Sequence, residues 1–283
     1  MDSAYAKLGR AKLHRDQLVR EIKAFDSNDA FSWGFDEVAS PHPRLARIAV
    51  TIQNKTATPS SWSLLVGDIL TNLRAALDHA LFGHASGRKT LTEDEERRLQ
   101  YPIVIHRDNW FGAPAVPATA TTPARKKIES KRDKLAPWVD ADVLDAIELT
   151  QPFSIRKVND PENESLAVLD SLVNRDKHRE VRVVSYVSRE FTVEHSTMKV
   201  EKVEPLNVVM VDGATVAHID FERTLRMPWE LSNWTGASFK VLNGYNPSIK
   251  VPSTGDYVSV RWGMNRLVAR VDETLKILKK AGC

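Results

Sequence analysis

Hydrophobic positions change period several times along the chain. Ala4, Leu8, Ala11, Leu18, Ile22 and Phe25 recur at helical spacing and predict a helix over residues 4–25. Trp33, Phe35 and Val38, then Leu45, Ile48, Val50 and Ile52, predict two strands joined by the turn Ser40-Pro41-His42-Pro43. Ser60 or Ser61 can cap a second long helix, with Gly83 and Gly87 bracketing its end. Thr92-Glu93-Asp94-Glu95 is a capping box that opens a short helix to Gln100. Tyr101–Ile105 is a candidate strand, residues 112–124 a mobile loop, the basic stretch 125–135 a helix, and 141–149 another short helix ended by Gln151-Pro152. A third long helix starts at Asn163 or Ser165 and carries Leu166, Leu169, Leu172 and Val173 on one side.

After Lys177 the period drops to two. Residues 181–187, 191–195, 198–203, 206–211 and 215–221 read as successive strands, with Asp212-Gly213 as a hairpin turn. Residues 227–252 read as irregular. A fourth long helix runs from about Asp256, with Val260, Met264, Leu267, Val271, Leu275 and Leu278 as its stripe. The expected fold class is α+β, an antiparallel bundle of four main helices with a β-rich insertion before the C-terminal helix. The expected domains are residues 1–180 plus 256–283, a helical bundle with a small N-terminal β hairpin, and 181–255, a β-rich subdomain.

Composition narrows the setting. The chain has 283 residues, 42% hydrophobic and 27% charged, with a formal net charge of +3. That mild excess permits a polyanionic partner without requiring one. The single cysteine, Cys283, excludes a disulfide framework within the chain and favours a reducing cytoplasm. No signal peptide and no run of about 18 apolar residues are present, so a cytoplasmic protein away from the membrane is expected. Phosphate-binding loops, dinucleotide fingerprints, paired C-x-x-C motifs and the G-x-S-x-G elbow are absent, and no cofactor is expected.

The chemistry concentrates on residues 67–82. On a helical wheel Ile69, Leu73, Ala76, Leu77 and Ala80 centre the core face. Asp68, Asn72 and His79 line one edge. Arg74 and Asp78 form an i, i+4 pair on the opposite edge. About 140° separates Arg74 from His79. On the third long helix Asp176 falls on the apolar face, where a carboxylate needs a partner; Arg74 or His79 would serve. His178 stands at that helix's end, favoured by the dipole when protonated.

Arg74 followed after four residues by His79, on a bundle helix, resembles the R-x(4–6)-H motif of HEPN domains, all-helical domains found in many bacterial toxins and defence ribonucleases. The resemblance implies metal-independent endoribonuclease activity on RNA at a site between two protomers of a homodimer. It implies His79 as acid or base at the ribose 2′-hydroxyl or the leaving oxygen, and Arg74 stabilising the phosphate. Asp78 or Asp176 would orient the histidine, with His178 as a further candidate. The residue after Arg74 is Ala75, where these nucleases usually carry a polar side chain. A second match, Arg189 to His195, lies in a predicted strand. The pieces Gly67-Asp68, Asn72-Leu73-Arg74, Leu77-Asp78-His79, Tyr101-Pro102-Ile103, Gln151-Pro152-Phe153 and Asp176-Lys177-His178-Arg179 also resemble a bacterial family with no assigned activity, over most of residues 1–180.

Two other readings stand beside the nuclease. In one, the Asp/His/Arg network is structural and the protein is a non-catalytic binding or interaction module. In the other, His14, His79 and His178, with Asp78 or Asp176, ligate a metal in the bundle, although none forms an H-x(3)-H or E-x(2)-H pair. The basic run from Arg125 to Lys134 reads as a solvated helix face or a phosphate track. Trp229, Trp234 and Trp262 read as core residues or base-stacking platforms.

Overall fold

The computed structural model describes residues 1–26, 31–54, 56–116, 126–155, 160–178, 181–187, 192–196, 199–206, 208–209, 211–222, 239–242 and 245–283. The fold is α+β, and its sheets are antiparallel. The chain divides into two units: residues 1–18, 61–181 and 250–283 form the helical one, and residues 19–60 and 182–249 the β-rich one. The N-terminal hairpin, expected alongside the helices, belongs instead to the second unit and shares a sheet with later strands. Among the described residues, no helix is long and apolar enough to cross a membrane.

In the helical unit, α1 (Asp2–Asp26) contributes its residues up to Leu18, while its later residues belong to the other unit. The hydrophobic stripe of α2 (Ser61–Arg88) is buried at Ile69, Leu73, Ala76, Leu77 and Ala80. This helix packs on α7 (Ser165–His178) and α8 (Val260–Lys280), which also touch each other. α1 reaches this group through Lys12, which bonds Asp272 of α8 at 3.1 Å, and through Ser3 at His79 of α2. α2 continues past Gly83 and Gly87. Neither glycine takes the left-handed conformation that would end it, and its last turn is tied by His84 and Arg88 to Asp140 at 3.3 and 2.7 Å.

Short helices α3 (Glu93–Arg98), α4 (Arg107–Phe111), α5 (Lys131–Leu135) and α6 (Ala141–Thr150) complete the unit. The helix expected over 125–135 is confined to α5. Ile128 exchanges both backbone hydrogen bonds with Ala113, at 3.0 and 2.9 Å, so its peptide groups are spent on a bridge. Helix formation restarts only where the Ser130 hydroxyl accepts from the Asp133 N–H at 3.0 Å. The bridge also needs Gly112 at φ 79°, where an added Cβ would stand 3.0 Å from the Ile128 carbonyl. Of the expected mobile loop over 112–124, residues 117–124 lie outside the described residues.

In the β-rich unit, β1 (Phe31–Val38) and β2 (Leu45–Asn54) form the expected hairpin. The sheet continues through β6 (Thr215–Glu222) to β5 (Val200–Pro205), in the order β1-β2-β6-β5. Even-numbered positions Ala46, Ile48, Val50 and Ile52 are all buried on β2, and Ile48 faces Ile219 across the register. On the odd positions Arg47 lies opposite Asp220 and grips it with two bonds of 2.7 and 2.8 Å. That contact holds the Asp220 carboxyl below the usual carboxylate range. β3 (Val183–Val187) pairs with β8 (Tyr245–Lys250), and β4 (Thr192–Ser196) with β7 (Phe239–Leu242). Two expectations change here. The described part of 206–211 forms no strand, and of the expected irregular stretch 227–252, residues 239–242 and 245–250 are β7 and β8 while 227–238 and 243–244 lie outside the described residues. A short strand β9 (Tyr257–Ser259) leads into α8, which starts at Val260, four residues later than expected.

The capping box of α3 is present in full: Thr92 and Glu95 bond each other's backbone N–H at 2.9 and 3.3 Å. Bonds from Lys89, from the Thr92 N–H and from the Trp138 indole hold the Glu95 carboxyl at about 2, below its ordinary 4.5. Because the folded state resists protonation, this group's stabilisation is complete above about pH 4.5 and is lost as pH falls through about 2. Its solvent exposure keeps the effect modest. Melting temperature followed from pH 6 to 2 should therefore fall more steeply in the wild type than in Glu95→Gln, whose amide cannot titrate; parallel curves would contradict the assignment.

Candidate functional site

Arg74 and Asp78, one helical turn apart on α2, close on the backbone of a single residue, Tyr101. Arg74 Nη2 donates to the Tyr101 carbonyl at 2.8 Å, and the Tyr101 N–H donates to Asp78 Oδ1 at 2.8 Å. Arg74 Nε bonds Asp78 Oδ2 at 3.2 Å, which completes the ring, and Nη1 reaches Asp170 of α7 at 3.4 Å. Residues 101–105 therefore make no strand. The groups that would join a ladder at Tyr101 are taken by these two side chains, and the Val104 N–H donates to the buried Gln151 side chain at 2.8 Å.

From Tyr101 the polar contacts run inward. Its ring is fully buried, its hydroxyl bonds the Thr150 hydroxyl, and burial pushes its phenol above the ordinary value. The Thr150 carbonyl accepts from Arg270 Nη2 of α8 at 2.8 Å. Arg270 Nε donates to Glu164 at 2.7 Å, and the other Glu164 oxygen accepts from the Leu166 N–H at 2.7 Å, in the first turn of α7. Glu164 is 3% exposed, so the guanidinium is what makes its charge tolerable there. This path joins α2, α6, α7 and α8.

The residues singled out from the sequence do not all meet. Arg74 and Asp78 do, as the i, i+4 spacing implies. His79 faces another way and shares a 2.7 Å hydrogen bond, through Nδ1, with the Ser3 hydroxyl of α1. Asp176 pairs with neither Arg74 nor His79; the acidic partner that α7 supplies to Arg74 is Asp170, six residues earlier. Asp176 lies instead against Gly67, its oxygens 3.1 and 3.2 Å from where a Cβ would stand on that residue. The His178 side chain and Arg189 lie outside the described residues, as do Trp229 and Trp234. Trp262 is exposed, with the Arg266 guanidinium 5.0 Å over its ring. Among the described residues no group of three or more His, Cys, Asp or Glu is placed to hold a metal, so His14 and His79 are not brought into such a set. The Cys283 thiol bonds the Ala80 carbonyl at 3.2 Å, and burial pushes it up to about 11, so it is not a thiolate nucleophile at neutral pH.

Beside the Tyr101 clamp lies a cleft of about 690 Å³. Arg74, Arg98, Lys131 and Lys134 line it together with Glu129 and Asp170, an excess of cations. Lys134 is committed to Glu129, whose carboxyl it holds below the ordinary range, and Arg74 to its clamp. Arg98 and Lys131 are exposed and have no ion-pair or hydrogen-bond partner among the described residues. Sequence reasoning missed Tyr101, Gln151, Asp170, Glu164 and Arg270 as network members and Arg98 as a cleft cation. The available signals were Tyr101-Pro102-Ile103 and Gln151-Pro152-Phe153, quoted for their resemblance but not connected to Arg74.

Comparison of the chain with protein-family profiles, with curated proteins and with solved structures returned no match.

Replacing Arg270 with Met should destabilise the protein by about 3–5 kcal/mol, because it leaves the Glu164 carboxylate buried and unpaired. Urea unfolding measures this. The double variant Glu164→Leu, Arg270→Met should recover part of the loss, whereas a near-neutral single variant would remove Arg270 from the network.

Proposed function

We propose that the Arg74–Asp78 pair is a structural clamp and that the helical unit works as a non-catalytic binding module. One observation carries this reading: each of the three Arg74 guanidinium nitrogens is engaged, by the Tyr101 carbonyl, Asp78 and Asp170, which fixes the side chain on the clamp, while His79 bonds Ser3 elsewhere. A nuclease arginine must aim its donors at a phosphate as charge develops on it, whereas this one is oriented by backbone and carboxylates of its own chain. The same reading takes the four long helices as an antiparallel bundle, with the open cleft as its binding feature.

A second reading remains the metal-independent endoribonuclease of the HEPN type. It is favoured by Arg74 lining a cleft and by the partial exposure of His79. Since the two diverge within one chain, it requires a homodimer in which Arg74 of one protomer meets His79 of another around an RNA phosphate.

Incubating an RNA pool with excess EDTA and the wild-type, His79→Ala or Arg74→Ala protein separates the two. The binding reading expects intact RNA in every case. It expects Arg74→Ala to lose stability, at about 1.5–3 kcal/mol per charged hydrogen bond, and His79→Ala to lose less. Cleavage by the wild type that leaves cyclic-phosphate ends, and disappears in His79→Ala at an unchanged melting temperature, would overturn it.

A further inference from the structure

The cleft beside Tyr101 has two kinds of wall. Arg98, at the end of α3, and Lys131, in the first turn of α5, stand in it as cations with no partner among the described residues. Pro102, Ile103, Leu135 and Trp138 add an apolar lining. The Trp138 indole is held in place, since its N–H donates to Glu95 at 3.0 Å and Lys89 lies 6.0 Å from its ring centre. The floor does not depend on a ligand for its shape, because the clamp holds both the N–H and the carbonyl of Tyr101.

We propose that this cleft binds a phosphate monoester carrying a flat, partly apolar body, a ligand of mononucleotide size, with Arg98 and Lys131 taking the phosphate. The inference rests on the binding reading above and names its site and ligand class. Anionic character follows from two cations with no ion-pair partner among the described residues, in a lining whose four cations outnumber Glu129 and Asp170. Size follows from volume: about 690 Å³ is far more than a bare phosphate fills and lies within the range of small-ligand sites. A flat body follows from the apolar walls, which would bury its faces, and from the Gln100 and Asn109 amides, which can both donate to and accept from a polar edge.

The test is calorimetric titration of the full chain at low salt with adenosine 5′-monophosphate, adenosine, glucose 6-phosphate and inorganic phosphate. The same titrations are run on the Arg98→Gln, Lys131→Gln double variant. Both positions are exposed and have no partner among the described residues, so the variant should keep the wild-type melting temperature. Saturable binding of adenosine 5′-monophosphate is expected, at least roughly tenfold weaker in the double variant. It should weaken as salt is raised, and the other three probes should bind less tightly. Equal binding to the variant would remove Arg98 and Lys131 from the site. Glucose 6-phosphate or inorganic phosphate binding as well as the nucleotide would overturn the flat apolar body. If no probe saturates while Arg74→Ala still destabilises and RNA stays intact, the cleft assignment falls and the clamp reading stands. RNA cleavage in EDTA that depends on His79 would overturn the reading beneath it.

Discussion

The polar core of the helical unit is organised around how the backbone of one buried residue is satisfied. Tyr101 carries its ring into the core, and its N–H and C=O must follow it away from water. No strand is there to meet them, so two charged side chains from α2 do. The arrangement is asymmetric in energy: made, it returns little more than water would, but broken at any point it leaves a charge or a peptide group stranded. The same holds along the path through Thr150 and Arg270 to Glu164. Four helices thus share one set of polar obligations, and none can shift alone without leaving a group unpaired.

This explains which features were legible in the sequence. Helical stripes are local, repetitive and set by burial, so α1, α2, α7 and α8 are readable within a few residues of their ends. The capping box of α3 and the Arg74–Asp78 spacing are also local. The segments at 101–105 and 126–130 misled because their conformation is decided by partners far along the chain: Arg74, Asp78 and Gln151 for the first, Ala113 for the second. Asp176 shows the same limit. Its place on the apolar face of α7 was readable, but its neighbour is the bare backbone at Gly67, and the acid that meets Arg74 is Asp170.

Clustered Arg, Asp and His residues invite a catalytic reading, because catalysis and core electrostatics use the same side chains. Here the two uses separate by what holds the guanidinium in place. Arg74 drew attention as a motif residue and proves to be occupied. Arg98 and Lys131 sit in a short capped helix and in a charge run that looked like a solvated face, yet they are the cleft cations with no partner among the described residues. The short pieces quoted from the sequence as one resemblance also find each other in space: Gly67 meets Asp176, the Arg74–Asp78 pair meets Tyr101, and Gln151 meets the chain just after Ile103.

The ion pair between Lys12 and Asp272 joins residues 260 positions apart, and the helical unit is assembled from three separate stretches of chain with the other unit's residues between them. On a ribosome, α1 and α2 are made long before α8 exists. Their apolar stripes and the Glu164 carboxylate must therefore wait, exposed or borrowed by other surfaces, until the last stretch emerges. Closing so long a loop is slow, and the interval is one in which the nascent chain is open to aggregation and to chaperone capture. Loss of α8 would accordingly remove more than one layer of packing: it would uncover α2 and α7 together and leave the Glu164 carboxylate without its cation.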